Sequence, residues 1–185
     1  MSDQPIALPG QYLTFLIRGD EYGVGILRVK EIIEYESVTR VPGTTACIRG
    51  VMNLRGSVVP VVDFAAKMGL PASPITNRTC IVVLEVQTGG EQLVLGLVAD
   101  SVSQVVELRA EDLEPRPSFG TRLAVDYLTG IGRAGGKFVM LLDVDLVLSP
   151  AELLAASAAT AAEAPGAPAL ENAASAGTPA APVAP

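Results

Sequence analysis

Short apolar runs broken by Gly, Pro or Asp recur along most of the chain, and Val, Ile and Leu dominate them. Runs of that composition between turn residues read as strands. Gln11 to Arg18 and Tyr22 to Ile26 flank a Gly19-Asp20 turn and predict a hairpin. Val29, Ile32 and Ile33 then fall at spacings that suit one helical face, which predicts a short helical turn. Pro42-Gly43 breaks the chain, and Thr44 or Thr45 could cap a short helix. Ile48 to Asp63 reads as two strands around Arg55-Gly56-Ser57, with Pro60 placing the second at an edge or a bulge. A brief helix is expected from Asp63 to Met68, stopped by Gly69 and Pro71. Thr79 to Gln87 and Gln92 to Val98 make a hairpin over Thr88-Gly89-Gly90, and the run Ser101 to Leu108 follows. After a polar stretch, Tyr127 to Ile131 and Lys137 to Leu148 flank Ala134-Gly135-Gly136 as another hairpin. Pro150 opens an Ala-rich run expected to be helical over 150–164. Residues 165–185 are Ala, Pro, Gly and Ser rich, cannot bury enough surface to offset ordering entropy, and are expected to be disordered.

The pattern repeats internally. Gly50, Gly56 and Asp63 recur 80 residues later as Gly130, Gly136 and Asp143. Gly23, Val29 and Ile32 recur 73 residues later as Gly96, Val102 and Val105. Two spaced triples in the same order predict two related subdomains, each a small barrel of short antiparallel strands.

Composition narrows the chemistry. The 185 residues are 49 % hydrophobic but only 4 % aromatic, so the core is aliphatic. A formal charge of −7 without a basic run disfavours nucleic acid. The chain has no histidine, which removes Ser-His-Asp and Cys-His nucleophile systems and a phospho-accepting histidine. Two cysteines plus carboxylates are a poor zinc set, so no metal, cofactor or catalytic residue is expected. Cys47 and Cys80 sit in apolar settings that suit reduced, buried thiols, with a disulfide left open by sequence alone. The opening residues MSDQPIALPG do not read as a signal peptide, and no run approaches the roughly 20 apolar residues of a membrane span. The expectation is a cytoplasmic binding module.

Individual residues admit more than one reading. Arg55 at a strand junction is either a solvated turn arginine or a partner contact, since Arg is favoured at interfaces. Val29, Ile32 and Ile33 are core by default, with Ile32 the strongest core candidate. Exposed members of that set, with Val98 to Val102 as a second wall, would instead form a groove for a partner helix. Asp63 and Asp143 end matching strands, where aspartates that cap turns are far commoner than a catalytic pair. Gly50 and Gly56 serve backbone geometry first and close partner approach second.

The segment IRGVMNLRGSVVPVVDF, Ile48 to Phe64, resembles the central motif of the CheW family of chemotaxis coupling proteins. EYGVGILRVKEI from Glu21, LGLVADSVSQVVEL from Leu95 and KFVMLLDVDLVLS from Lys137 extend the resemblance over residues 11–149. The resemblance implies a mainly β fold of two intertwined SH3-like five-stranded barrels. It implies a non-catalytic adaptor that binds the cytoplasmic tip of chemoreceptors and the regulatory domain of the CheA kinase, which shares the fold. In the family the cleft between the subdomains takes the receptor. Val29, Ile33, Arg55 and Val98 are therefore expected on the receptor side, and Arg55 and Gly56 at the kinase or partner contact. A CheA kinase would need an ATP-binding domain and a CheV protein a receiver domain, and neither fits this sequence. A pili-based or other chemosensory-like pathway stays open, and an enzyme on a β-barrel is the remote alternative.

Overall fold

The computed structural model describes residues 7–36, 38–116, 126–149, 151–152 and 158. Among the described residues eleven strands run in order: β1 (Gly10–Ile17), β2 (Asp20–Gly25), β3 (Val29–Glu34), β4 (Ile48–Leu54), β5 (Ser57–Val62), β6 (Cys80–Thr88), β7 (Glu91–Ala99), β8 (Ser101–Leu108), β9 (Leu113–Glu114), β10 (Leu128–Ala134) and β11 (Lys137–Leu142). A single turn of helix, α1 (Phe64–Lys67), follows β5. No helix among the described residues is long and apolar enough to cross a membrane.

The strands form two curled sheets of the SH3-like barrel kind. The first runs β8-β1-β2-β11-β10-β9, where β9 is only two residues long, and the second runs β3-β6-β7-β5-β4. Four two-residue turns join the tight hairpins, at Arg18-Gly19, Arg55-Gly56, Gly89-Gly90 and Gly135-Gly136, and both φ angles are positive in each. That geometry follows the right-handed twist of the flanking strands.

The internal repeat is real, but neither half is a barrel by itself. Each sheet takes strands from both halves of the chain. In the second sheet β5 runs parallel to β7 with Val61 opposite Gly96. In the first, β11 runs parallel to β2 with Leu141 opposite Gly23. These pairs are the same positions under the 80- and 73-residue shifts. Bulges fall at equivalent points too, between Ile48 and Gly50 in β4 and between Leu128 and Gly130 in β10. The Asp63 N–H donates to the Cys47 carbonyl at 2.7 Å, and Asp143 N–H to Tyr127 at 2.8 Å. The halves thus exchange strands reciprocally between the two sheets.

Three local expectations change. Val29 to Ile33 are strand, not a helical turn; a 3₁₀ turn over Ile26–Arg28 precedes them, and pairing with β6 fixes the extended backbone. No helix begins at Thr44 or Thr45: the Thr44 hydroxyl donates to the Val41 carbonyl at 2.9 Å, and a turn returns the chain into β4. Pro60 lies in an interior strand. It is tolerated because its partner Val51 sends both its N–H and its carbonyl to Thr39, each at 2.8 Å, and so asks nothing of a proline nitrogen. That Thr39 contact also explains Gly50, where a Cβ would lie 2.0 Å from the Thr39 carbonyl oxygen.

The largest core cluster spans both sheets, with Phe15, Val24, Val82, Leu97, Leu142 and Val147 among its buried members. Phe64 of α1 sits in it, edge-on to Tyr22 at 5.9 Å and to Tyr127 at 5.6 Å. Burial pushes the Tyr22 hydroxyl up to about 12, with the Asp20 carboxylate adding to the shift. A second cluster, including Met52, Val59, Val61, Ile81, Val83 and Val98, fills the second barrel. Ala151, Glu152 and Ala158 are helical. The remainder of the helix expected over 150–164, and the whole tail over 165–185, lie outside the described residues.

Candidate functional site: the β3 and β4–β5 face of the second barrel

β3 and β4 are the two edges of the second sheet. Between them lies an open groove of about 600 Å³ lined by Ile33, Glu34, Glu36, Met52, Asn53 and Ile81. Its lining mixes apolar Ile33, Met52 and Ile81 with Asn53 and the carboxylates of Glu34 and Glu36. The β4–β5 turn stands beside it. Arg55 holds φ +50° there, and Gly56 holds +88°. The Asn53 side-chain carbonyl accepts the Gly56 N–H at 2.9 Å and fixes the turn.

A left-handed arginine is uncommon, because its Cβ crowds the backbone. The equivalent turn in the other half uses Gly135-Gly136 with the same φ signs. The turn itself does not require the arginine. Its guanidinium is 81 % exposed and donates from Nη2 to Glu31 Oε2 at 3.0 Å. Glu31 stands on β3, so the pair bridges the edge strand and the turn. Two more ion pairs tie the start of β3 to its neighbours. Lys30 Nζ lies 2.6 Å from Glu85 Oε2, and hydrogen bonding to Lys30 holds the Glu85 carboxyl below its ordinary value. Arg28 pairs with Asp145, whose other oxygen accepts the Gln87 N–H at 2.7 Å.

The structure brings together three of the residues expected at the site. Arg55, Gly56 and Ile33 all border this face. It separates the other two. Val98 is fully buried in the second core, so it cannot touch a partner directly; β7 is an interior strand covered on both sides. Val29 packs on the larger core, away from Ile33. The cause is a bulge at Lys30: Val29 pairs with Leu84 while Glu31 pairs with Val83, so the alternation slips by one residue. Ile32, expected in the core, is 44 % exposed, and Ile33 takes the inward position. Sequence reasoning missed Glu31, Asn53, Glu34, Glu36 and Met52. Glu31 carried no signal along the chain, since its partner is brought near only by sheet pairing.

The aspartates are structural. Asp63 is buried. It caps α1 by accepting the Ala66 N–H at 3.2 Å, takes Arg49 Nε at 2.9 Å, and takes the Ser73 N–H at 3.1 Å. Asp143 accepts the Asp145 N–H at 3.1 Å, and burial raises its carboxyl above the ordinary value. Cys47 and Cys80 are free, buried thiols, each raised by burial.

A family model described as a CheW-like domain matches residues 11–152. A chemotaxis protein CheW of Klebsiella aerogenes is 39 % identical over 143 residues, covering 77 % of this chain and 84 % of that protein. The CheW protein of Rhizobium meliloti is 32 % identical over 146 residues, covering 79 % and 92 %. Among solved structures, the scaffolding protein TtCheW from Thermoanaerobacter tengcongensis superposes with a TM-score of 0.67 at 24 % identity, covering 79 % of this chain and 92 % of that one. That last likeness establishes the shared fold.

Proposed function

Since the chain belongs to the CheW family, we propose that it is a non-catalytic chemotaxis adaptor joining the cytoplasmic tips of methyl-accepting receptors to the regulatory domain of a CheA-type kinase. The observation that carries the reading is Arg55. The chain accepts a strained backbone to hold a largely exposed guanidinium on the β4–β5 turn, next to the strand whose Asn53 lines the groove. A partner segment with an apolar side chain for the groove and a carboxylate for Arg55 fits the pair, and Glu34 and Glu36 favour a basic flank. Receptor state would then act through contacts on this module and bias the kinase equilibrium, with no chemistry on the adaptor itself. The working place is the cytoplasmic side of the receptor array. Residues 11–149 form the binding unit, and the 165–185 tail is dispensable for it.

The test reconstitutes receptor fragment, kinase and adaptor and follows kinase autophosphorylation. Arg55→Glu is expected to abolish receptor-dependent activation while the melting curve stays near that of the parent. Full activation by a folded Arg55→Glu variant would remove Arg55 from the interface. Deleting 165–185 should leave activation intact.

A further inference from the structure

Asn53 joins the Arg55 turn to the groove. Its side chain is exposed and lines the groove, and its Oδ1 accepts the Gly56 N–H at 2.9 Å. That bond assigns the two ends of the amide, because only the oxygen can accept from an N–H. The two N–H groups of Nδ2 are left over, and among the described residues they have no partner.

The turn does not need this amide. Under the 80-residue shift Asn53 corresponds to Arg133, and the two hold the same register, Asn53 opposite Val58 and Arg133 opposite Phe138. A guanidinium has no acceptor and cannot take the Gly136 N–H. The Gly135-Gly136 turn still closes with the same φ signs, while Arg133 pairs with Glu114. The setting of Asn53 is also open. β4 is an edge strand, and among the described residues its free side is bridged at Val51 alone, by Thr39. Asn53 lies two residues beyond that bridge, where an incoming chain meets no competing strand.

The neighbours restrict what this donor meets. Glu34 and Glu36 line the same groove, and their carboxylates repel an anion there. A neutral acceptor suits that field, and the main-chain carbonyl is the neutral acceptor that every protein segment carries. Arg55, the cation on the turn, is the group for a carboxylate. We propose, resting on the groove being the kinase contact, that Asn53 is a specificity-determining residue: Oδ1 holds the Arg55-Gly56 turn, and Nδ2 donates to a main-chain carbonyl of the kinase regulatory domain in the groove. One side chain thus fixes the turn that presents Arg55 and reads the uncharged backbone beside it.

Calorimetric titration of the full-length chain with the kinase regulatory domain tests this, beside a thermal melt. Asn53→Asp keeps an acceptor for the Gly56 N–H and loses the donor. It is expected to melt within about 4 °C of the parent and to bind at least about tenfold more weakly. Asn53→Ala adds no charge and is measured both in the parent and in Arg55→Gly, so that a double-mutant cycle separates its own bond from its hold on Arg55. The expected result is a loss of at least about fivefold in both backgrounds. A loss seen only while Arg55 is present would make Asn53 a positioning residue and overturn the donor. Parent-like affinity in Asn53→Asp would overturn it too, as would a loss confined to Asn53→Asp, which is charge repulsion. Arg55→Glu keeps the two ideas apart. If it weakens binding and neither Asn53 variant does, Nδ2 loses its assigned role while the groove keeps its own. If Arg55→Glu binds like the parent, the groove is not the kinase contact and the role of Nδ2 falls with it.

Discussion

Replacing Arg55 by glycine separates the arginine's role in the turn from its role at the surface. Three terms set the effect on stability. Relief of the left-handed backbone favours the variant by about 1 kcal/mol. The greater freedom of glycine in the unfolded chain costs about 0.5–1 kcal/mol. Losing the exposed pair with Glu31 costs about 0.5 kcal/mol, because solvent screens a guanidinium that is 81 % accessible. The terms nearly cancel, so Arg55→Gly should shift the melting temperature by less than about 4 °C in a domain of this size. Gly135 shows that the same turn forms without a side chain. Binding has no such compensation. Truncating an interface arginine at a hot spot costs at least about 2 kcal/mol, a roughly 30-fold weaker Kd. The assay is calorimetric titration with the kinase regulatory domain and with a receptor-tip fragment, beside a thermal melt. Arg18→Gly is the matched control: Arg18 sits in the β1–β2 turn with φ +54° and should show the same small stability change with unaltered affinity. A Kd for Arg55→Gly within twofold of the parent would refute the reasoning. So would an equal loss of affinity in Arg18→Gly.

Partial burial pushes the Glu152 carboxyl up, but the hydrogen bonds from Lys67, Ser149 and Cys47 outweigh it and hold the group down to about 2. A depressed folded value means stability that is present above the unfolded carboxyl value, near 4.3, and is lost as pH falls from there toward 2. Urea melts of the parent should thus fall more steeply over that window than those of Glu152→Gln, which should lose about 1–3 kcal/mol at pH 7. Gly50→Ala should cost more than about 3 kcal/mol, since its Cβ would meet backbone at 2.0 Å, whereas Gly56→Ala, whose Cβ meets nothing, should cost about 1 kcal/mol of strain. Chemical denaturation of the two variants checks the order. Ile32→Ser should cost under about 1 kcal/mol, while Val98→Ala in the closed second core should cost about 2 kcal/mol, and the reverse order would mean that β3 is registered differently.

What is local could be read along the chain. Hairpins over Gly19, Gly56, Gly89-Gly90 and Gly135-Gly136 were legible because two-residue turns with positive φ select glycine within a few residues of the strands they join. Asp63 could be read as a cap because its acceptor reaches only three residues ahead, to Ala66. The missing histidine excluded whole mechanisms without any structure. The repeat was legible as spacing, and Arg55 as a candidate. How the halves join emerges only in the folded molecule, because β5 finds β7, and β2 finds β11, across separations that no local pattern encodes. The fold put Val98 in the interior, since burial on both faces depends on which strands flank β7. It also decided that Val29 and Ile33 part company: one extra residue at Lys30 reverses the alternation, and a helical spacing gave no warning of it. Glu31 became a site residue for the same reason, as a carboxylate on one strand that gains its partner only when another turn folds against it.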